Sequence, residues 1–349
     1  MALDKAYPRL EVPIFGPDDG LLAVSLGARR LELNRAGSYA LGGTTPTVSE
    51  LAALLSSLGA SDRRPRPAIR IMIRPRGPPK SATWTIPNNT PITTDDTGGD
   101  RAPDRAPEPT TTPRQRPDQD FLYTPSELAA MAASIRAFAA SGLLSPRHGD
   151  GFVFGALRLG DDGRRLELDV ERNRELVSLV KEIESESEGE GERPPSPRLA
   201  CVLHRAVDDL LSSSSCSGGD DDNNIEGVMR SVRECGFDGV LTSGGRGPAL
   251  GNLEGLKGVI GSGAAAAEAK GLEVIVGGGV RRGNLDALVH GLKRGTGNDA
   301  LGEMVWFHSS CLGPDGRLDE QEARALAEQL WRSGVVLTDD LRQSRVGHP

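Results

Sequence analysis

The sequence predicts an α/β fold: a TIM-type (β/α)8 barrel in a single domain, spanning about residues 8–335 and interrupted by low-complexity loops. Three observations point there. Short apolar runs alternate with amphipathic helical patterns eight times, which argues for parallel strands joined by crossover helices. Polar and charged side chains recur where those runs end. The last two runs end in Gly277-Gly278-Gly279 and His308-Ser309-Ser310, at the place where such barrels often hold a phosphate. A doubly wound open sheet shares the alternation and is the rival reading.

The elements follow in order. Leu10 to Phe15 reads as the first strand, Asp18 to Ala28 as a short helix and Arg30 to Leu33 as the second strand. Thr47-Val48-Ser49-Glu50 is a capping box, and Val48, Leu51, Leu54, Leu55 and Leu58 recur on one helical face behind it. Ile69 to Ile73 is the third strand, closed by Arg74-Pro75-Arg76-Gly77. Residues 78–120 are rich in Pro, Thr, Asp and Gly and cannot bury enough apolar surface to offset chain entropy, so they read as a disordered insertion. A second capping box, Thr124-Pro125-Ser126-Glu127, opens a helix with Leu128, Met131, Ile135 and Phe138 inward. Phe152 to Leu157 is strand four and Arg174 to Ile183 its helix. An acidic linker, 184–198, precedes strand five, Ala200 to His204. A Ser/Asp-rich insertion, 212–224, leads to a helix at Ile225 to Cys235. Gly239 to Thr242 is strand six, and Leu253 to Lys270 contains its helix. Val274 to Val276, the helical pattern from Leu285, the run beginning at Val305 and a last helix at Glu320 to Arg332 complete the count.

Composition excludes several function classes. A net charge of −8 argues against nucleic acid, which needs a basic face. No apolar run reaches the length of about 18 residues that spans a membrane, and the start lacks a signal-peptide pattern. The four cysteines, Cys201, Cys216, Cys235 and Cys311, show no CxxC spacing, which suits a reduced, cytoplasmic protein rather than a disulfide framework.

If the barrel closes, the polar strand ends meet at one mouth. Glu11, Glu32, His204 and Asp208 are the candidate acid/base groups, because carboxylates and imidazoles in a partly dry cavity shift each other's pKa values. Arg74 and Arg76 are fork-shaped cations suited to carboxylate or phosphate. With Gly277, Gly278, Gly279, Arg281, Ser309 and Ser310 they form the candidate anion site, in which glycines let bare N–H groups and a helix N-terminus converge. Thr242-Ser243 end strand six beside them. No GxSxG, Walker, HExxH or GxGxxG-plus-acid pattern is present.

Taken together, Leu10-Glu11, Leu31-Glu32-Leu33, Ile73-Arg74-Pro75-Arg76-Gly77, Leu203-His204-Arg205-Ala206 with Asp208, Leu241-Thr242-Ser243-Gly244, Gly277-Gly278-Gly279-Val280-Arg281 with Asn284-Leu285, and His308-Ser309-Ser310 resemble the CutC family of copper homeostasis proteins. The order and spacing match across nearly the whole chain outside the insertions. The resemblance implies a cytosolic TIM-type barrel, often dimeric or larger, that handles intracellular copper as Cu(I). Many relatives carry cysteines just after the Leu-Glu pair and at the end of strand two. This chain has Val12-Pro13-Ile14-Phe15 and Leu33-Asn34 there. The metal-ligand candidates are then His204, His308 and Cys311. The expected function is therefore that of a CutC-type copper homeostasis protein binding Cu(I), with an enzyme acting on a phosphorylated or carboxylated small molecule as the alternative.

Overall fold

The computed structural model describes residues 7–59, 66–78, 120–161, 163, 165–187, 198–213, 225–264, 271–296, 301–313 and 316–337. Its centre is a closed barrel of parallel strands. These are β1 (Leu10–Phe15), β2 (Arg30–Asn34), β3 (Ala68–Met72), β4 (Gly151–Phe154), β5 (Ala200–Leu203), β6 (Gly239–Thr242), β7 (Glu273–Val276) and β8 (Val305–His308). Each pairs with its sequence neighbour. The ring closes where β8 meets β1, with Phe307 opposite Leu10 and His308 opposite Glu11.

Alternation along each strand sorts the side chains. The outward set, including Leu10, Val12, Ile14, Ile69, Ile71 and Phe152, packs under the helices in one apolar shell. The inward set makes a separate layer across the lumen: Met72, Val153, Val202, Leu241, Ile275 and Trp306.

The surrounding helices are α1 (Gly20–Ser25), α2 (Val48–Gly59), α3 (Pro125–Ala140), α4 (Val170–Ser187), α5 (Val207–Ser213), α6 (Ile225–Cys235), α7 (Leu253–Ala264), α8 (Leu285–Thr296) and α9 (Glu320–Arg332). Both expected capping boxes form. Thr47 N–H donates to Glu50 Oε2 at 2.6 Å while Glu50 N–H donates to Thr47 Oγ1 at 3.2 Å, and Thr124 with Glu127 repeats the reciprocal pair. Met131, Ile135 and Phe138 of α3 are buried as their spacing requires.

Several expectations are corrected. The first helix is shorter than Asp18 to Ala28, ending at Ser25. The acidic linker begins later than residue 184, since α4 runs to Ser187. The Ser-rich insertion likewise begins later than residue 212, because α5 continues to Ser213. Strand four stops at Phe154. Leu157–Leu159 instead pairs antiparallel with Leu166–Leu168 as a hairpin beside the barrel. The rest of the three insertions, residues 79–119, 188–197 and 214–224, lies outside the described residues.

At the base of β4, Asp150 is fully buried and clamps three chain segments. It accepts from Ile69 N–H at 2.7 Å, from Ser145 N–H at 2.8 Å and from the Arg66 guanidinium at 2.9 and 2.7 Å. Removing it strands those donors in a dry environment. Asp150→Ala should lower unfolding stability by about 3 kcal/mol or more in urea titration. A loss below about 1 kcal/mol would show that the clamp is dispensable.

Candidate functional site at the barrel mouth

A cavity of about 420 Å³ opens at the C-terminal ends of the strands, within the usual size of small-molecule sites. Glu32, Arg74, His204, Gly278, Gly279, Arg281, His308, Ser309 and Ser310 all line it, with Phe121, Asp120 and Tyr39 at its walls. The barrel thus brings together most of the sequence-predicted site. A larger groove of about 670 Å³ lies between α3 and α4 outside the barrel, and no strand end reaches it.

Beneath the mouth runs a chain of buried ions. Glu273 Oε2 accepts from Arg30 at 2.7 Å, and the other end of the Arg30 guanidinium meets Glu11. Arg30 also lies 4.0 Å from the Trp306 ring centroid, and Arg70 stands 3.8 Å from Glu273. Glu11 then pairs with His308 Nδ1 at 2.6 Å. Glu11 therefore lies under the cavity rather than in its wall. Burial alone would raise its carboxyl, but Arg30 first, and then the hydrogen bond from His308, outweigh that and bring it down to about 2. His308 moves the other way. Burial works against its charged form, yet the bond to Glu11 and the charges of Glu32 and Glu11 raise its pKa above the ordinary imidazole value. Burial raises the Glu32 carboxyl. One Glu32 oxygen accepts from Asn34 Nδ2 at 3.1 Å, whereas Oε2 is buried and unpaired. Donor atoms of Glu11, Glu32 and His308 lie within 4.8 Å of one another.

His204 is the opposite case. Its Nδ1 accepts from the Ala206 N–H at 3.3 Å, which puts the ring proton on Nε2. Among the described residues Nε2 is buried without a partner. Phe121 stacks on the ring with centroids 4.5 Å apart. Burial, reinforced by the charge of Arg74, lowers its pKa to about 3. A Cβ on Gly155 would collide with Leu203 Cδ1 and would crowd the ring at 3.2 Å from its Cε1 and Nδ1.

The β7 and β8 ends form a second corner. Gly278 and Gly279 take φ of +90° and +74°, and a Cβ on Gly278 would sit 2.7 Å from Ser243 Cβ. Among the described residues the N–H groups of Gly278, Gly279, Val280 and Ser310 have no protein acceptor. Arg281 reaches Ser310 Oγ and the Leu312 carbonyl, each at 3.2 Å.

Other expected site residues are committed elsewhere. Gly277 N–H continues the barrel ladder to the Thr242 carbonyl. Ser309 Oγ donates to the Val280 carbonyl at 2.7 Å, so it shapes the corner. Arg76 points away from the cavity, to Glu127 at 2.6 Å and to the Asp120 and Leu122 carbonyls at 2.9 and 2.7 Å. Arg74 is held bidentate by Asp120 at 2.7 and 2.8 Å and by the Leu41 and Gly43 carbonyls. Asp208 is saturated by Thr242 Oγ1, Ser243 N–H, Ser243 Oγ and Arg205, and ties the start of α5 to the end of β6. The metal-ligand trio separates. Cys311 is in the apolar shell with its thiol turned to the Ser309 carbonyl, and burial pushes that thiol up to about 11. Cys201 is also in that shell, and Cys216 lies outside the described residues.

No protein-family model matches the chain. No characterised protein matches it by sequence either. Among solved structures it is similar to a putative copper homeostasis protein CutC from Streptococcus agalactiae, at 18% identity and a TM-score of 0.52, covering 86% of this chain and 98% of that one. A putative phosphonomutase from Burkholderia cenocepacia is matched at 11% identity and a TM-score of 0.44, over 86% of each chain. At these identities the likeness shows the fold, a TIM barrel like that of CutC. No described helix is long and apolar enough to cross a membrane.

The raised pKa of His308 has a sign that can be checked. Its stabilising contribution is complete below about pH 6.5 and is lost as pH rises through the raised value. The stability gap between the native protein and His308→Gln, from urea midpoints, should be wider at about pH 6 than at about pH 9. A gap independent of pH would contradict the assignment.

Proposed function

We infer that the barrel mouth binds and acts on a small phosphorylated or carboxylated molecule. The observation that carries this is the β7–β8 corner: among the described residues the N–H groups of Gly278, Gly279, Val280 and Ser310 have no protein acceptor, and these residues line the same cavity as Arg281. Convergent N–H donors next to a guanidinium make an anion site, and a TIM barrel places one there. Glu32 and His308 supply acid/base capacity beside it, since burial raises the Glu32 carboxyl and the bond to Glu11 favours the His308 imidazolium. In this reading Asp208 and Ser309 position the donors rather than touch the ligand.

Copper handling is the second reading, and the likeness to CutC is what favours it. The donors that face the cavity are carboxylates and imidazoles. Cu(I) is soft and prefers thiolate or thioether, and the described thiols turn into the outer core. The donor set therefore weighs against Cu(I) as cargo.

Titration calorimetry with inorganic phosphate and glycerol 3-phosphate tests the first reading. Both should bind, and Arg281→Ala should weaken glycerol 3-phosphate about tenfold or more. No heat with either anion would overturn it. Copper is tested separately by Cu(I) competition against a chelator. The protein should not outcompete a moderate chelator, and tight stoichiometric uptake would favour the copper reading instead.

A further inference from the structure

We propose that this cavity catalyses enolisation: removal of a proton from the carbon beside a carbonyl of a small oxo-phosphate, with Glu32 as the base and His204 as the hydrogen-bond donor to the carbonyl oxygen. The inference rests on the anion-site reading above and goes beyond it by naming the reaction class.

His204 is the starting observation. A histidine 3% exposed, lining a cavity, with Nε2 unpaired, is costly unless a ligand oxygen completes it. The Ala206 N–H occupies Nδ1, so the ring's free nitrogen, Nε2, carries a donor and no acceptor. Phe121 and the Ala206 N–H hold the ring in place before any ligand arrives. A neutral donor of this kind suits an oxygen that gains charge during reaction. An imidazolium would surrender its proton instead.

Glu32 is the complement. Its Oε2 is the unpaired buried carboxylate oxygen of the cavity wall. Two titratable groups whose surroundings push them apart, one histidine kept neutral and one carboxyl raised, are the pattern by which a site divides base from electrophile. Phosphate at the Gly278–Val280 corner would fix the substrate's far end.

The step balances without a co-reactant. Glu32 Oε2 takes the proton from carbon. The C–H electron pair becomes the C=C bond, and the C=O π pair moves onto oxygen, where the His204 Nε2–H holds it. The Glu32 carboxyl returns the proton to the same carbon and the C=O re-forms, regenerating the carboxylate. His308, whose donor atom lies within 4.8 Å of Glu32's, offsets the enediolate charge.

The experiment incubates the full chain with dihydroxyacetone phosphate in D₂O. Loss of the carbon-bound proton signal is followed by NMR, and binding is measured by calorimetry on the same sample. Exchange should exceed the protein-free rate by about 100-fold or more. His204→Phe should cut it about 100-fold, His204→Gln should recover part of it by restoring a donor, and Glu32→Gln should abolish it with binding retained. Should His204→Phe fail to fold, the other two variants carry the test. Binding without exchange overturns enolisation and leaves the anion site standing. Exchange unaffected by Glu32→Gln and by either His204 variant overturns the residue roles. No binding of dihydroxyacetone phosphate or glycerol 3-phosphate removes both readings.

Discussion

The mouth of this barrel depends on a buried run of alternating charge, Glu273–Arg30–Glu11–His308. Each carboxylate and the guanidinium between them are buried, where an unpaired charge would cost several kcal/mol. Because Arg30 bridges both carboxylates, its position is over-determined, and Glu11 is held ionised close beneath the cavity. His308 is the end of that run and the first member that reaches the lining. Its charge is thus set from below, by residues no ligand touches. Glu32, across from it on β2, feels that charge and its own burial at once.

The same cavity holds a histidine treated in the reverse manner. His204 has no carboxylate beside it. It has Arg74, Phe121 and a backbone N–H. One opening therefore contains an imidazole favoured as a cation and an imidazole kept neutral. The difference arises from neighbours on β1 and β2 in one case and on β3 and the segment leading into α3 in the other. Soft-metal chemistry would need a different arrangement, with thiols turned inward. Here the chain puts Cys201 and Cys311 among the helices.

Much of this was legible in the sequence. Alternation in Arg30-Leu31-Glu32-Leu33 places Arg30 and Glu32 on one face, and closure makes that face the lumen. The IRPRG and GGGVR segments fall at strand ends as their flanking patterns require. What escaped was set by contacts far apart in the chain. Asp208 reads as a free carboxylate until Thr242 and Ser243 are brought to it. Arg76 looks like a second anion clamp, but Glu127 captures it from across an insertion. Cys311 is next in line after the mouth hydroxyls, yet it sits at odd spacing from His308, and with φ of +52° it turns into the core. The hairpin at Leu157–Leu159 and Leu166–Leu168 did leave a signal, alternating Leu-Arg-Leu and Leu-Glu-Leu around a Gly/Asp turn.

The claim that joins these points is the split between the two histidines, and ring-nitrogen NMR of the labelled protein reads it directly. His308 should titrate above the ordinary imidazole value of 6.5, and His204 should keep its proton on Nε2 with no titration until about pH 3. Glu11→Gln should lower the His308 value and leave His204 unmoved. Both rings titrating together near 6.5, or a His204 proton on Nδ1, would contradict the account.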